Sequence, residues 1–146
     1  MNENLLLLSN STNPGENFLE WPKDYICNFL RNFTVRRLLF IPYAKVNLSE
    51  DRVHDSFDEY EKRVAAVFAE LGFELESIHR KKDPPRAVKK AKAIIVGGGN
   101  TFHLVKMMHK TGIMKAIRNC IFEGARHMNG WACMKMPWET IHVRSA

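Results

Sequence analysis

The chain has 146 residues, of which 45% are hydrophobic and 26% charged, a balance that predicts one folded domain and excludes a wholly disordered chain. Lysine and arginine exceed aspartate and glutamate by 22 to 16, a net charge of +6, but the basic residues are scattered and no RNA-binding pattern of aromatic residues accompanies them, so we expect no nucleic-acid partner. No stretch approaches the ~20 apolar residues of a membrane span, so we expect no membrane partner either.

The cysteines and the amino terminus favour a cytoplasmic location. The three cysteines, Cys27, Cys120 and Cys133, are odd in number and form no CxxC pair, which argues against a disulfide framework. The first residues lack the basic start and the long apolar stretch of a signal peptide.

Short apolar runs alternate along the chain with segments of helical spacing. In chain order, strands are predicted near residues 4–9, 37–41, 73–78 and 93–96, with a short fifth strand near 126–130. Helices are predicted over residues 21–32, 51–71, 84–92, 101–109 and 114–122. This alternation is typical of βαβ units, and it predicts a single α/β domain with a parallel sheet. Ligands of such sheets gather at the carboxyl ends of the strands.

The densest run of basic residues follows the third predicted strand. It comprises Arg80, Lys81, Lys82, Arg86, Lys89 and Lys90. We interpret the run as a loop leading into a solvated helix face, with a phosphate-binding patch as the less favoured alternative.

A glycine loop, Gly97-Gly98-Gly99-Asn100, follows the strongest predicted strand and precedes a helix. Glycines leave backbone N–H groups unhindered, and the helix N-terminus adds positive potential there. Such a loop suits a phosphate, a carboxylate or a catalytic oxyanion. It matches neither GxGxxG nor the P-loop, and a tight turn without any ligand is an equal alternative.

Three separated segments carry a family resemblance. Residues 5–15 (LLLLSNSTNPG), 40–44 (FIPYA) and 93–105, which include IIVGGGNTFHL, resemble peptidase E, the α-aspartyl dipeptidase family of serine peptidases. The resemblance implies a flavodoxin-like parallel sheet with helices on both faces, related to class I glutamine amidotransferases. It also implies hydrolysis of dipeptides with an N-terminal aspartate, no cofactor, and an oxyanion or ligand loop of Gly98, Gly99 and Asn100.

The resemblance weakens where the family has its nucleophile, a serine in a Gly-Trp-Ser-Ala-Gly motif. Depending on the alignment, that position falls on Trp131 or Ala132. The aspartate of the family's triad would fall on Ala146, and its histidine would lie beyond the last residue. Cys133 is an unsuitable replacement, because the bulky side chains that follow it do not suit a strained nucleophile turn. We therefore assign no catalytic residue.

These departures lead to several expectations for the chain as it stands. Residues 125–146 are a divergent tail of a partial, C-terminally truncated peptidase E-like domain over residues 1–146, and the chain is expected to be inactive and to self-associate through the truncated edge. The alternative is a non-catalytic module that binds a small ligand at its glycine loop. No metal site is expected, because five histidines are interpreted as isolated and either solvated or locally bonded: His79, His103, His109, His127 and His142.

Overall fold

A computed structural model of the chain describes residues 5–46, 53–123 and 132–135. Within these ranges, strands and helices alternate as the apolar pattern predicts. The strands are β1 (Leu5–Leu7), β2 (Arg37–Ile41), β3 (Glu74–Ser77), β4 (Ala93–Val96) and β5 (Ala132–Lys135). The α-helices are α1 (Lys23–Arg31), α2 (Val53–Glu70), α3 (Pro84–Lys90), α4 (Thr101–Lys110) and α5 (Ile113–Glu123), and a 3-10 turn spans Ile78–Arg80.

The five strands form one parallel sheet in the order β1-β5-β4-β2-β3. Strands β2 to β5 follow the flavodoxin order: β3 lies on one side of β2, and β4 followed by β5 lies on its other side. The amino-terminal strand β1 adds to the far side, next to β5. The predicted flavodoxin-like α/β fold is therefore confirmed.

Helices cover both faces of the sheet, because right-handed crossovers that run in opposite directions place their helices on opposite faces. The crossovers through α1 and α2 run toward β3, and a Lys23–Glu70 ion pair of 2.6 Å joins these two helices. The crossovers through α3, α4 and α5 run the other way, and α5 packs against both α3 and α4.

The centre of the core lies between strand β2 and helix α2. Phe40 is fully buried, and its ring packs edge-on against Tyr60 with 5.1 Å between ring centroids. Phe57, one turn earlier on α2, packs in the same way against Tyr43 at 5.4 Å. Burying each such side chain contributes about 1.5–3 kcal/mol, so these contacts hold α2 firmly against the sheet.

Four of the predicted strands are confirmed at nearly the predicted positions. The predicted fifth strand, near 126–130, lies outside the described residues, and the structure has its fifth strand later, at Ala132–Lys135. That strand is central, since Cys133 pairs with Leu5 on one side and with Ile94 on the other. None of the helices that the structure describes is long and apolar enough to cross a membrane.

Candidate functional site

The loops after β2 and β4 meet at the carboxyl end of the sheet. Strand β3 lies on one side of β2 and strand β4 on the other, so the strand order reverses at β2. Such a reversal opens a crevice at the carboxyl ends of the strands, where α/β proteins bind ligands. Two backbone hydrogen bonds join the loops: Gly97 N–H donates to Ile41 O (3.0 Å), and Asn100 N–H donates to Ala44 O (2.7 Å). The glycine loop is therefore held in place at both ends.

Close packing explains two of the three glycines. Gly99 has φ +141°, a conformation that L side chains rarely adopt, and a Cβ there would lie 2.4 Å from Ala44 O. A Cβ on Gly97 would lie 2.5 Å from the Tyr60 ring. The Tyr60 hydroxyl also donates a hydrogen bond to Gly98 O, at 3.4 Å.

The loop presents hydrogen-bond donors at a helix N-terminus. Within residues 5–46, 53–123 and 132–135, no acceptor is found for the amide N–H groups of Gly98 and Gly99. Helix α4 begins immediately afterwards, and Asn100 caps it by accepting a hydrogen bond from His103 N–H (3.0 Å). Free amides beside the positive end of a helix favour an anionic oxygen, so the loop can bind a carboxylate or an oxyanion.

His103 joins the two loops from within α4. Its Nδ1 lies 2.6 Å from Tyr43 O, and since a carbonyl only accepts, Nδ1–H is the donor. The Tyr43 side chain is buried, and this burial raises the pKa of its hydroxyl, against a smaller lowering by the hydrogen bond with Thr111. The histidine is thus bonded to the backbone of the loop after β2, which determines its tautomer.

A second polar cluster lies beyond the end of β3, and it corrects the interpretation of His79 as isolated. The imidazole Nε2 lies 2.7 Å from Asp58 Oδ1 and 3.9 Å from Glu61 Oε2, and Nδ1 lies 2.6 Å from Ser77 Oγ. The two carboxylates are three residues apart on α2 and so share one face of that helix. Arg80 pairs with both of them, at 2.8 and 2.5 Å.

The serine, histidine and aspartate of this cluster are unsuited to nucleophilic catalysis. Ser77 is only 1% exposed, so its hydroxyl has no access to a substrate. The hydrogen bond with His79, assisted by the charge of Arg80, holds the pKa of Asp58 below its ordinary value. Three of these side chains, Asp58, Glu61 and His79, have metal-ligating atoms within 4.8 Å of one another, but Arg80 already occupies the position of a cation between the carboxylates.

Of the two candidate nucleophile positions, Trp131 is outside the described residues, and Ala132 is the first residue of β5. Cys133 follows in the same strand, with strand partners on both sides. These neighbours place it in extended backbone rather than at a strand-to-helix turn.

The glycine loop was recognisable in the sequence, but the support that Ala44, Tyr60 and His103 give it was not predicted. Two of these residues lie in segments that carry the family resemblance, Ala44 in 40–44 and His103 in 93–105, whereas Tyr60 had no such signal. The contacts of Tyr60 and His103 join positions 38 and 60 residues apart in the chain, and helical spacing alone does not indicate them.

Residues 5–133 match the model of peptidase family S51. The chain belongs to this family. It is 39% identical over 132 residues to a peptidase E from Nostoc sp., a match that covers 90% of the chain and 51% of the relative. It is 41% identical over 128 residues to a peptidase E from Salmonella newport, with coverage of 88% and 52%. The chain thus spans about half the length of the curated relatives it matches.

A solved structure supports the fold. The crystal structure of a Listeria monocytogenes protein described as a peptidase E matches with a TM-score of 0.50 and 20% sequence identity. The match covers 90% of this chain and 57% of that one. At this identity the match supports the arrangement of strands and helices.

Proposed function

We propose that the Gly97–Asn100 loop is the oxyanion-binding part of a serine-type dipeptidase site that acts on dipeptides with an N-terminal aspartate. The observation that carries this proposal is the pair of amides at Gly98 and Gly99, beside the N-terminus of α4, for which the described part of the chain offers no acceptor. We call them the free amides. Donors aimed at a developing oxyanion are a large part of catalysis in acyl transfer. Membership of family S51 supplies the reaction class.

We further propose that the chain as given does not hydrolyse peptides and acts in the cytoplasm. Neither Trp131 nor Ala132 offers a hydroxyl. When a serine triad is removed, the oxyanion hole and substrate binding alone keep only about 10³–10⁴-fold acceleration over water. The loop would therefore bind a substrate without turning it over at a useful rate.

The first experiment measures hydrolysis of Asp-Leu and of aspartyl p-nitroanilide by the purified chain. We expect no release of product above the rate in buffer. Turnover that is abolished by Cys133→Ala would contradict this proposal and identify a cysteine enzyme. Turnover that survives Cys133→Ala would place the nucleophile elsewhere.

The free amides equally favour the second candidate function, a non-catalytic module that binds a small acidic ligand. Calorimetry with Asp-Leu tests it, because binding without turnover is the expected result. Leu-Asp, in which the order of the residues is reversed, is the matched control ligand. If neither dipeptide binds, the glycine loop is a structural turn and both proposals for it are wrong.

A further inference from the structure

A groove about 800 Å³ in volume lies between helix α3 and strands β2 and β3. We call it the basic groove. Part of the basic run after β3 lines it, together with two arginines at the start of β2. The basic side chains around it are Arg36, Arg37, Lys81, Lys82, Arg86, Lys90 and Lys92.

The positive charge of the basic groove is only partly neutralised. Its three acidic residues are all engaged: Glu74 and Glu76 pair with Arg37, Glu76 also pairs with Lys81, and Asp83 caps helix α3. The remaining basic side chains form no ion pair with any residue that the structure describes. They are Arg36, Lys82, Arg86, Lys90 and Lys92.

The lining of the basic groove selects among anionic ligands. It contains no aromatic side chain on which a base would stack and no glycine that would open backbone amides to a phosphate. Its aliphatic lining comprises the half-buried Ala87 and Ala91 and the buried Val35, Leu38 and Leu39.

We propose that the basic groove binds an acidic amphipathic peptide segment of another protein. Apolar side chains of the segment lie against the accessible alanines Ala87 and Ala91. Its carboxylates pair with the basic side chains Arg36, Lys82, Arg86, Lys90 and Lys92. Complementary charge steers such partners together and determines their register. The groove shares no residue with the Gly97–Asn100 loop or with residues 42–45, so its ligand does not compete directly for the site of the proposed function.

The test titrates the chain with a fluorescently labelled amphipathic peptide of leucine and glutamate at helical spacing. Fluorescence anisotropy at low salt should detect binding that weakens as salt is added, because surface charges are screened. A peptide with lysine in place of each glutamate should not bind. The double variant Arg86→Glu, Lys90→Glu should weaken binding by at least about ten-fold, since two attractive charges become repulsive.

Lys89 offers a matched control on the same helix, because it is exposed but does not line the basic groove. Lys89→Glu makes the same kind of charge change and should alter the affinity by less than about three-fold. Circular dichroism checks that every variant folds. The single variant Lys90→Glu is the direct comparison, because it also changes one lysine of α3 to glutamate but lines the basic groove. Equal weakening by Lys89→Glu and Lys90→Glu would overturn the proposal, since the effect would then be one of net charge. Tighter binding of a single-stranded oligonucleotide than of the acidic peptide would overturn it too.

Discussion

Gly99 is the residue at which the backbone of the candidate site is most constrained. Its φ is +141°, and a Cβ would lie 2.4 Å from Ala44 O, a backbone atom that cannot rotate away. Gly15 also has a positive φ, but nothing lies within 4 Å of the position of its Cβ. Comparing alanine substitutions at the two positions therefore separates the cost of backbone strain from the cost of steric overlap.

We expect Gly99→Ala to lower the free energy of unfolding by about 3 kcal/mol, because strain and overlap act together. Gly15→Ala should cost about 1 kcal/mol, from strain alone. Urea denaturation followed by circular dichroism measures both values. Equal losses for the two variants would show that the loop moves away from Ala44 without cost.

Asp58 makes the stability of the chain depend on pH. The hydrogen bond with His79, with help from the charge of Arg80, holds the pKa of Asp58 below its ordinary value in the folded chain. A depressed pKa means that the folded state favours the ionised carboxylate. The stabilisation is therefore fully present above the unfolded pKa and is lost as the pH falls through the lower, folded value.

We expect the melting temperature of the unmodified chain to fall more steeply below about pH 4 than that of Asp58→Asn, since the variant has no carboxylate to protonate at this position. Glu59→Gln is the matched control on the same helix, because Glu59 is exposed and forms no ion pair with the residues described. Its acid profile should follow that of the unmodified chain. A parallel profile for Asp58→Asn would contradict the role assigned to the His79 hydrogen bond.

Two helices of the same layer begin with side-chain caps, and only one of them adjoins the candidate site. Asn100 caps α4 through His103 N–H, and Asp83 caps α3 through Arg86 N–H, each at 3.0 Å. Pro84 and Pro85 follow Asp83 in the first turn, where a missing N–H costs nothing. Each cap should stabilise its helix by about 1 kcal/mol.

We expect Asn100→Ala and Asp83→Ala to lower the free energy of unfolding by similar amounts, about 1 kcal/mol each. Only Asn100→Ala should also weaken the binding of Asp-Leu, because its helix start carries the free amides. Asn100→Asp keeps an acceptor and should keep the stability. Calorimetry measures the binding of Asp-Leu, and thermal denaturation measures the stability. Weaker binding of Asp-Leu by Asp83→Ala would contradict the prediction that only the cap of α4 supports the ligand site.

The whole sheet has two outer strands among those described, β1 and β3. The sequence led us to expect self-association through residues 125–146, but the described part of that segment is the central strand β5, and the rest lies outside the described residues. We propose instead that the chain self-associates through the outer strand β1. Strand β1 contributes three residues beside β5, and Leu7 at its end is 55% exposed. An outer strand with an exposed apolar side chain invites pairing with a second chain.

Light scattering during size-exclusion chromatography should detect the association, and Leu7→Lys should shift the chain toward the monomer, because lysine discourages edge pairing. Tyr25→Lys is the control, since Tyr25 is 63% exposed on α1. A monomer for the unmodified chain at tens of micromolar would show that the proposal is wrong.

Local sequence determined which segments are strands and where the glycine loop lies. Leu38–Ile41 and Ile94–Val96 are apolar at successive positions, so both faces of these strands must be buried, and only a sheet covered on both sides achieves this. The Gly97–Asn100 loop was also recognisable from local sequence, because glycines and a capping residue shape only the few residues next to them in the chain.

Tertiary structure decided the strand order and the partners of each site residue. The approach of Gly99 to Ala44 and the pairing of His79 with Asp58 depend on crossovers that bring distant residues together at the carboxyl end of the sheet. The position of β5 depends in the same way on its pairing with both β1 and β4. Apolar periodicity records only which face of an element is buried; which residue lies opposite is determined by packing of the whole sheet.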